Sequence, residues 1–302
     1  MKVSCLIAAY KADATIAKAL ESLRPQLHED WEVVVVEDGS RGQTEQLVAD
    51  FAASVRQPVR YENLGVNQGV AAARNRLLDL AAGDAVAFLD ADDWWTPAHL
   101  QRAAAAHAGG AGLVVARIQT VDLATGRLLE TVVPPADLFA DPLRHLFSRS
   151  SIMTSSCVSL TRALADRAGR VDPALRIGED RDYWMRCAAT GARFADSGEI
   201  TCFYAKHAGS TMAKTLLWAQ QEVAFYEKHQ SLAAVPASAR KSHLFQALLN
   251  HGRVSRGTDP RTSTAALARA WRLRPASATA ALQWAVSRWR LLRTQPPAPS
   301  VP

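Results

Sequence analysis

Residues 85–97 read AVAFLDADDWWTP, an apolar run that breaks into three carboxylates, Asp90, Asp92 and Asp93, and then into two tryptophans. Like charges held that close repel, so the cluster needs a cation, a set of hydrogen-bond donors or open water. Two other apolar runs also end in polar groups. IAAYKAD (7–13) presents Tyr10, and VVVVEDGS (33–40) presents Asp38 beside Gly39. An aromatic ring, a carboxylate at a turn and a D-x-D cluster suit stacking on a base, accepting from its donor group and binding a divalent metal against a diphosphate. Together they describe a site for a nucleotide-diphosphate donor.

Such groups need a frame that delivers them to one place. KVSCLIAA (2–9), WEVVVVEDGS (31–40), PVRYEN (58–63) and DAVAFLDADD (84–93) read as strands. Between them lie helical patterns: DATIAKALESL (13–23) with Asp13 or Thr15 near its cap, QTEQLVADFAASV (43–55), and NQGVAAARNRLLDLAAG (67–83), stopped by Gly83. The alternation predicts an α/β fold, a mostly parallel sheet with helices on both faces. Ligands of such sheets sit outside the carboxyl ends of the strands, where AAYKAD, EDGS and DADD all fall. A dinucleotide site would need G-x-G-x-x-G after the first strand, but IAAYKADATI has no glycine, and a Walker loop is missing too. Asp93 is expected to cap the helix that follows near Pro97.

Composition sets the outer bounds. With 302 residues and 48% hydrophobic content, the chain buries one large core, or one core plus an appendage. No 18-residue apolar run and no signal-peptide pattern occurs, so a cytoplasmic protein is expected. Cys5, Cys157, Cys187 and Cys202 are scattered without C-x-x-C spacing, which predicts reduced, buried thiols.

Six motifs, IAAYKAD, VVVVEDGS, NQGVAAARNRLLDLAAGD, FLDADDWWTP, GEDRDYWMRCAATG and HAGSTMA, stand in an order and spacing that resembles the inverting family 2 glycosyltransferases of the GT-A fold. The resemblance covers residues 3 to about 213. It implies that Ala8 and Tyr10 line the nucleotide base and that Asp38 hydrogen-bonds it. By the same resemblance Arg74 reaches the donor, Asp90 faces the ribose and the metal, and Asp92 is the main ligand of Mn²⁺ or Mg²⁺. The implied donor is a nucleotide-diphosphate sugar, UDP-sugars being favoured, and the acceptor is a sugar or a lipid-linked sugar. His207, in an H-x-G-S loop, is expected on the diphosphate or the metal. Asp180 is the implied general base, a role worth ~10²- to 10⁴-fold in rate. Without the resemblance, Glu179, Asp180 and Asp182 would serve equally well as acids at the N-terminus of the helix DYWMRCAAT. Glu179 and Trp184 are expected on the acceptor side, and Trp94, Trp95 and Trp184 are candidates for a sugar-stacking platform. Ala8, Lys11 and Glu37 stand where similar enzymes usually have Pro, Asn and Asp. No Q-x-x-R-W motif of processive synthases occurs, so one sugar per encounter is expected.

The remaining stretches define what surrounds that region. VDLATGRLLETVV (121–133) reads as a hairpin turned at Thr125–Gly126, and SSIMTSSCVSL (150–160) as a strand closing the acceptor side. The expected division is a catalytic domain over 1–215 and a basic helical region over 216–302 with a disordered Pro-rich tail. Between Arg240 and Arg293, eleven basic residues face one acid, Asp259, a net of +10 that leaves the rest of the chain at −4. Leu267 and Trp271, then Leu282, Val286 and Trp289, recur there at helical spacing among arginines. Two readings follow: a helical hairpin that packs its apolar stripe internally, or a peripheral anchor on an anionic membrane surface at the inner face of the cell membrane. Nothing in the chain reads bases, so nucleic acid is not expected as a partner. A nucleotidylyltransferase would want a Gly-rich basic N-terminal loop, which is absent, and a non-catalytic sugar-nucleotide-binding scaffold would not need both Asp92 and Asp180.

Overall fold

The computed structural model describes residues 1–206 and 215–294. Contacts divide the chain into two compact units, Met1–Ser210 and Thr211–Pro302. In the first, β1 (Val3–Ala9), β2 (Trp31–Glu37), β3 (Val59–Asn63) and β4 (Ala85–Phe88) pair in parallel in the order β3-β2-β1-β4. β2 and β4 are buried along their whole length, and β1 nearly so. That explains their continuous apolar runs: each is covered on both faces. α1 (Ile16–Glu21), α2 (Thr44–Ser54) and α3 (Val70–Leu80) are the crossovers. Register then sets the rim. Ala9 lies beside Glu37 and Glu37 beside Asn63, while β4 stops at Phe88, opposite Leu6, so that Asp90–Asp93 emerge at the same edge.

The second half of the sheet is mixed. β8 (Val158–Thr161) runs antiparallel to β4, β6 (Leu113–Asp122) antiparallel to β8, and β9 (Phe194–Lys206) parallel to β6. β5 (Trp94–Trp95) closes the edge against β9, and β7 (Leu128–Val132) folds back on β6 through a turn whose Gly126 has φ 69°. The hairpin expected at Thr125–Gly126 is thus present. α4 (His99–Ala108) packs on β6, β8 and β9. α5 (Ala136–Ala140) and α6 (Pro142–Ser148) lead to a short 3₁₀ turn at Ser155–Cys157. α7 (Arg162–Ala168) and α8 (Glu179–Ala189) follow, and α6 packs against α8.

Several local expectations change. SSIMTSSCVSL forms a strand only from Val158, because Thr154 and Ser156 turn their side chains into the structure and the backbone tightens there. α8 begins at Glu179, three residues before the predicted start, and α3 ends at Leu80, three before Gly83. Gly83 is needed for a different reason: a Cβ there would lie 2.7 Å from the Lys2 carbonyl oxygen. Asp13 does not cap α1; its Oδ1 accepts from the Gln43 amide and the Thr44 hydroxyl and so fixes the start of α2. Thr15 sits at the N-cap of α1, but its hydroxyl donates back to the Ala12 carbonyl instead of capping the helix.

In the second unit, α9 (Thr215–Lys228), α10 (Ala237–Ser255), α11 (Pro260–Leu273) and α12 (Ala278–Thr294) each pack on the next. Gly252 lets α10 and α11 approach, since a Cβ there would be 2.4 Å from Leu267 Cγ, and Ser263 donates to the Gly252 carbonyl. The α11 stripe is internal: Leu267 and Ala270 are fully buried, and Trp271 stacks on Trp284 with ring centroids 5.3 Å apart. The α12 stripe is not. Leu282 is 64%, Trp289 52% and Leu292 61% exposed. Among the described residues, no helix is long and apolar enough to cross a membrane.

Candidate active site

The rim is built from its edges inward. Asp38 follows β2 and is almost fully buried; its two oxygens accept from the backbone amides of Gln68 and Gly69 at 2.7 and 2.8 Å, tying the end of β2 to the start of α3. Each carboxylate oxygen keeps a lone pair for a further donor. Gly39, at φ 73°, makes that approach possible, because a Cβ would fall 2.1 Å from the Val66 carbonyl carbon. Across the gap, Ala8 is half-buried at the end of β1 and Tyr10 is 48% exposed. Lys11 is in the left-handed region at φ 54°, a conformation asparagine tolerates better than lysine. Its amide donates to Ser40 Oγ at 2.8 Å, and its ammonium lies 5.3 Å from the centre of the Tyr10 ring.

Asp90 and Asp92 are half-buried on the turn after β4, whereas Asp93 is fully buried. Asp93 does not cap α4, whose N-cap residue Ala98 makes no side-chain bond. Instead its Oδ1 accepts from the Ala205 amide at 2.9 Å, and its Oδ2 accepts from Ser156 Oγ at 2.6 Å with Thr154 Oγ1 at 2.9 Å. Burial, reinforced by Asp90 and Asp92, pushes its carboxyl well above the usual carboxylate range. Asp90 and Asp92, which reach the surface of this turn, offer the hard oxygen atoms that a divalent cation would use.

Arg74 joins this turn to the second acidic motif. Its Nη1 donates to Glu179 Oε1 at 2.7 Å and its Nη2 to Asp90 Oδ1 at 3.2 Å, with the guanidinium buried. Burial alone would lower its pKa, but Asp90, Glu179 and Asp180 raise it on balance. Arg74, expected at the donor, thus bridges two carboxylates. The next residue, Asn75, exchanges two hydrogen bonds with the Val171 backbone at 2.8 and 2.9 Å, so α3 fastens the segment that leads into α8 at two points. Burial, then Asp180, pushes Glu179 up to about 7 against the opposing effect of Arg74. Asp180 is half-buried and also raised, by burial first; its Oδ1 accepts from the Arg181 amide at 2.6 Å. Arg181 reaches back to the carbonyls of Leu146 and Phe147 at the end of α6, which holds the first turn of α8 in place.

Not every expected residue joins the site. Trp184 is 2% exposed and packs edge-on against Phe88 at 5.5 Å, so it is core rather than an acceptor platform. Trp95 is also core: its Nε1 donates to the Ser156 carbonyl and its ring stacks on His99. Trp94 is half-buried, stacked on Phe203 at 5.4 Å with the Lys18 ammonium over its face. His207 lies outside the described residues. Among the described residues, no three His, Cys, Asp or Glu side chains converge as a complete metal cage. Asn75, Thr154 and Ser156, which organise the rim, gave no signal in the sequence, since Ser and Thr beside a strand carry no mark of a distant carboxylate.

The sheet β3-β2-β1-β4, mostly parallel and continued by β8, β6, β9 and β5 with helices around it, is a GT-A-like α/β fold. Residues 4–166 match the family described as Glycosyl transferase family 2, and the chain belongs to that family. It is 28% identical over 236 residues to the amylovoran biosynthesis glycosyltransferase AmsB of Erwinia amylovora, covering 71% of this chain and 75% of that one. To the succinoglycan biosynthesis protein ExoO of Rhizobium meliloti it is 35% identical over 205 residues, 64% of this chain and 57% of that one. Two other relatives, of Nostoc and Bacillus subtilis, are matched over 31% and 28% of their own length. The fold is similar to that of S. aureus TarS 1-349 in complex with UDP-GlcNAc, with a TM-score of 0.69, 21% identity, and 99% of this chain and 93% of that one covered.

Glu179 also gives a pH signature. Its folded-state pKa is raised from 4.5 to about 7, so its ionisation opposes folding as pH climbs through that window. Glu179→Gln keeps the shape and an acceptor oxygen for Arg74 but removes the proton. Thermal melts from pH 4.5 to 7 are expected to fall less steeply in the variant than in the parent; parallel curves would show that Glu179 is not the raised group.

Proposed function

We propose that the protein is an inverting, metal-dependent glycosyltransferase that moves one sugar from a nucleotide-diphosphate sugar, a UDP-sugar by preference, to an acceptor hydroxyl in cell-surface polysaccharide or glycolipid synthesis. The observation that carries this reading is the Arg74 bridge, which brings the D-x-D turn and the Glu179–Asp180 pair of a family 2 chain to one rim. The biosynthetic names of AmsB and ExoO and the UDP-GlcNAc bound by TarS support the substrate class.

On this reading the base lies between Tyr10 and Asp38, and Asp90 faces the ribose. The acceptor hydroxyl oxygen attacks the anomeric carbon, the bond from that carbon to the diphosphate oxygen breaks, and the hydroxyl proton passes to an Asp180 carboxylate oxygen. Burial raises the basicity of Asp180, which suits it to take that proton, while Arg74 limits the rise. Attack opposite the leaving group inverts the anomeric centre. Asp92, a hard oxygen donor beside Asp90, would hold Mn²⁺ or Mg²⁺, and the family resemblance assigns His207 to the same ion. The ion, when bound, offsets the charge that develops on the diphosphate.

The second unit fits a peripheral place at the inner, cytoplasmic face of the membrane. The α12 stripe of Leu282, Val286, Trp289 and Leu292 is accompanied by Arg288 and Arg290, and α12 contains no acid. Basic side chains near an anionic surface contribute ~1 kcal/mol each, and the apolar stripe adds burial in the interface.

Four outcomes test these readings. Incubated with UDP-, GDP- and dTDP-sugars, the protein should release free nucleotide diphosphate with Mn²⁺ but not with EDTA. Asp180→Asn should keep donor affinity while transfer falls by at least ~10²-fold; transfer within a few-fold of the parent would assign the base elsewhere, and pyrophosphate release would point to a nucleotidylyltransferase. The protein should also pellet with phosphatidylglycerol vesicles, but not with phosphatidylcholine, and be released by salt. Arg288→Glu with Arg290→Glu should weaken that binding without altering nucleotide release; equal pelleting with both lipids, or with neither, would refute the anchor.

A further inference from the structure

Asp90 is held from two sides, and the second side belongs to a residue that no motif includes. Oδ1 accepts from Arg74, whereas Oδ2 accepts from Thr154 Oγ1 at 3.0 Å. Thr154 is 4% exposed and sits where the chain turns into the 3₁₀ segment Ser155–Cys157, its hydroxyl also accepting from the Ser156 amide at 3.1 Å.

A hydroxyl carries one proton, and Thr154 Oγ1 has three acceptors within reach: Asp90 Oδ2 at 3.0 Å, Asp93 Oδ2 at 2.9 Å and Ser156 Oγ at 3.1 Å. The neighbouring bonds decide which one receives it. Ser156 Oγ accepts from the Asp90 amide at 2.9 Å, which leaves its proton for Asp93 Oδ2, at the shorter distance of 2.6 Å. Asp93 Oδ1 is served by the Ala205 amide. Asp93 thus has a donor on each oxygen without Thr154, whereas Thr154 is the donor that the described residues offer to Asp90 Oδ2, and there its proton is needed.

We propose that Thr154 is a positioning residue for sugar transfer: with Arg74 on the other oxygen, its hydroxyl fixes the plane in which the Asp90 carboxylate meets the donor. Asp93 acts as the buried post behind it, joining the D-x-D turn to the Thr154–Ser156 turn and to the end of β9. The proposal rests on the reading of Asp90 as a donor-side residue.

The test uses UDP and GDP as probes, titrated with Mn²⁺ into the full-length protein, together with thermal melts. Thr154→Val keeps the side-chain shape and removes the hydroxyl. It should weaken binding of the preferred nucleotide ~10-fold and lower the melting temperature while leaving the transition cooperative, because the buried Ser156 amide loses its acceptor but the rest of the fold is untouched. Thr154→Ser should restore affinity to within a few-fold, which a purely steric role would not require. Asp90→Asn separates the two claims. Should it abolish binding while Thr154→Val binds like the parent, Thr154 has no positioning role. Should Asp90→Asn bind like the parent, or should the parent bind neither nucleotide, the donor-side reading falls and the proposal with it. If Thr154→Val does not fold, Thr154→Cys, with a weak donor in the same place, takes its part with the same expected loss.

Discussion

A guanidinium buried between two carboxylates governs the site. Asp90, Asp92, Asp93, Glu179 and Asp180 gather at one sheet edge, and burial makes Asp93, Glu179 and Asp180 costly to ionise. Arg74 supplies charge to two of them at once, and its planar fork does so in a fixed geometry that a point charge would not. Removing it would leave buried anions facing each other. The distance between the D-x-D turn and the first turn of α8 is thereby tied to a single side chain of α3.

The rest of the fold can be seen as support for that bridge. The parallel half of the sheet brings β1, β2 and β4 out at a common rim, and α3 carries Arg74 from the neighbouring crossover. The mixed half backs the acidic turn: β8 follows the Thr154–Ser156 turn, β9 delivers the Ala205 amide, and both meet on Asp93. Arg181 fastens α8 to α6 on one side while Asn75 holds Val171 on the other. The carboxylates that face the rim are thus oriented by groups that lie behind it.

Much of this was legible in the amino-acid sequence wherever the signal was local. Buried parallel strands leave unbroken apolar runs, and their polar ends mark the rim, so Asp38, Asp90 and Asp92 could be read directly. Partners chosen by tertiary approach could not. Thr154 meets Asp93 across 61 positions, Asn75 meets Val171 across 96 and Arg74 meets Glu179 across 105. Asp93 was misread as a helix cap because a local reading assigns a carboxylate to the nearest amides. Trp184 was misread as a sugar platform because spacing shows which residues share a helix face, not whether that face meets solvent or Phe88. In α11 and α12, equal apolar periodicity hides opposite fates, since the close approach at Gly252 buries Leu267 while Leu282 remains exposed.

The most direct test of the account is nucleotide release by Arg74→Lys, measured on whichever donor sugar the parent turns over. Lysine keeps the positive charge, and with it most of the electrostatic compensation, but it cannot hold Asp90 and Glu179 in one plane. If the bridge sets the geometry of both halves of the site, the variant should fold, as judged by circular dichroism, yet release nucleotide at least ~10-fold more slowly than the parent, since small misplacements of reacting groups carry large rate losses. Release at the parental rate from a folded Arg74→Lys protein would contradict the account.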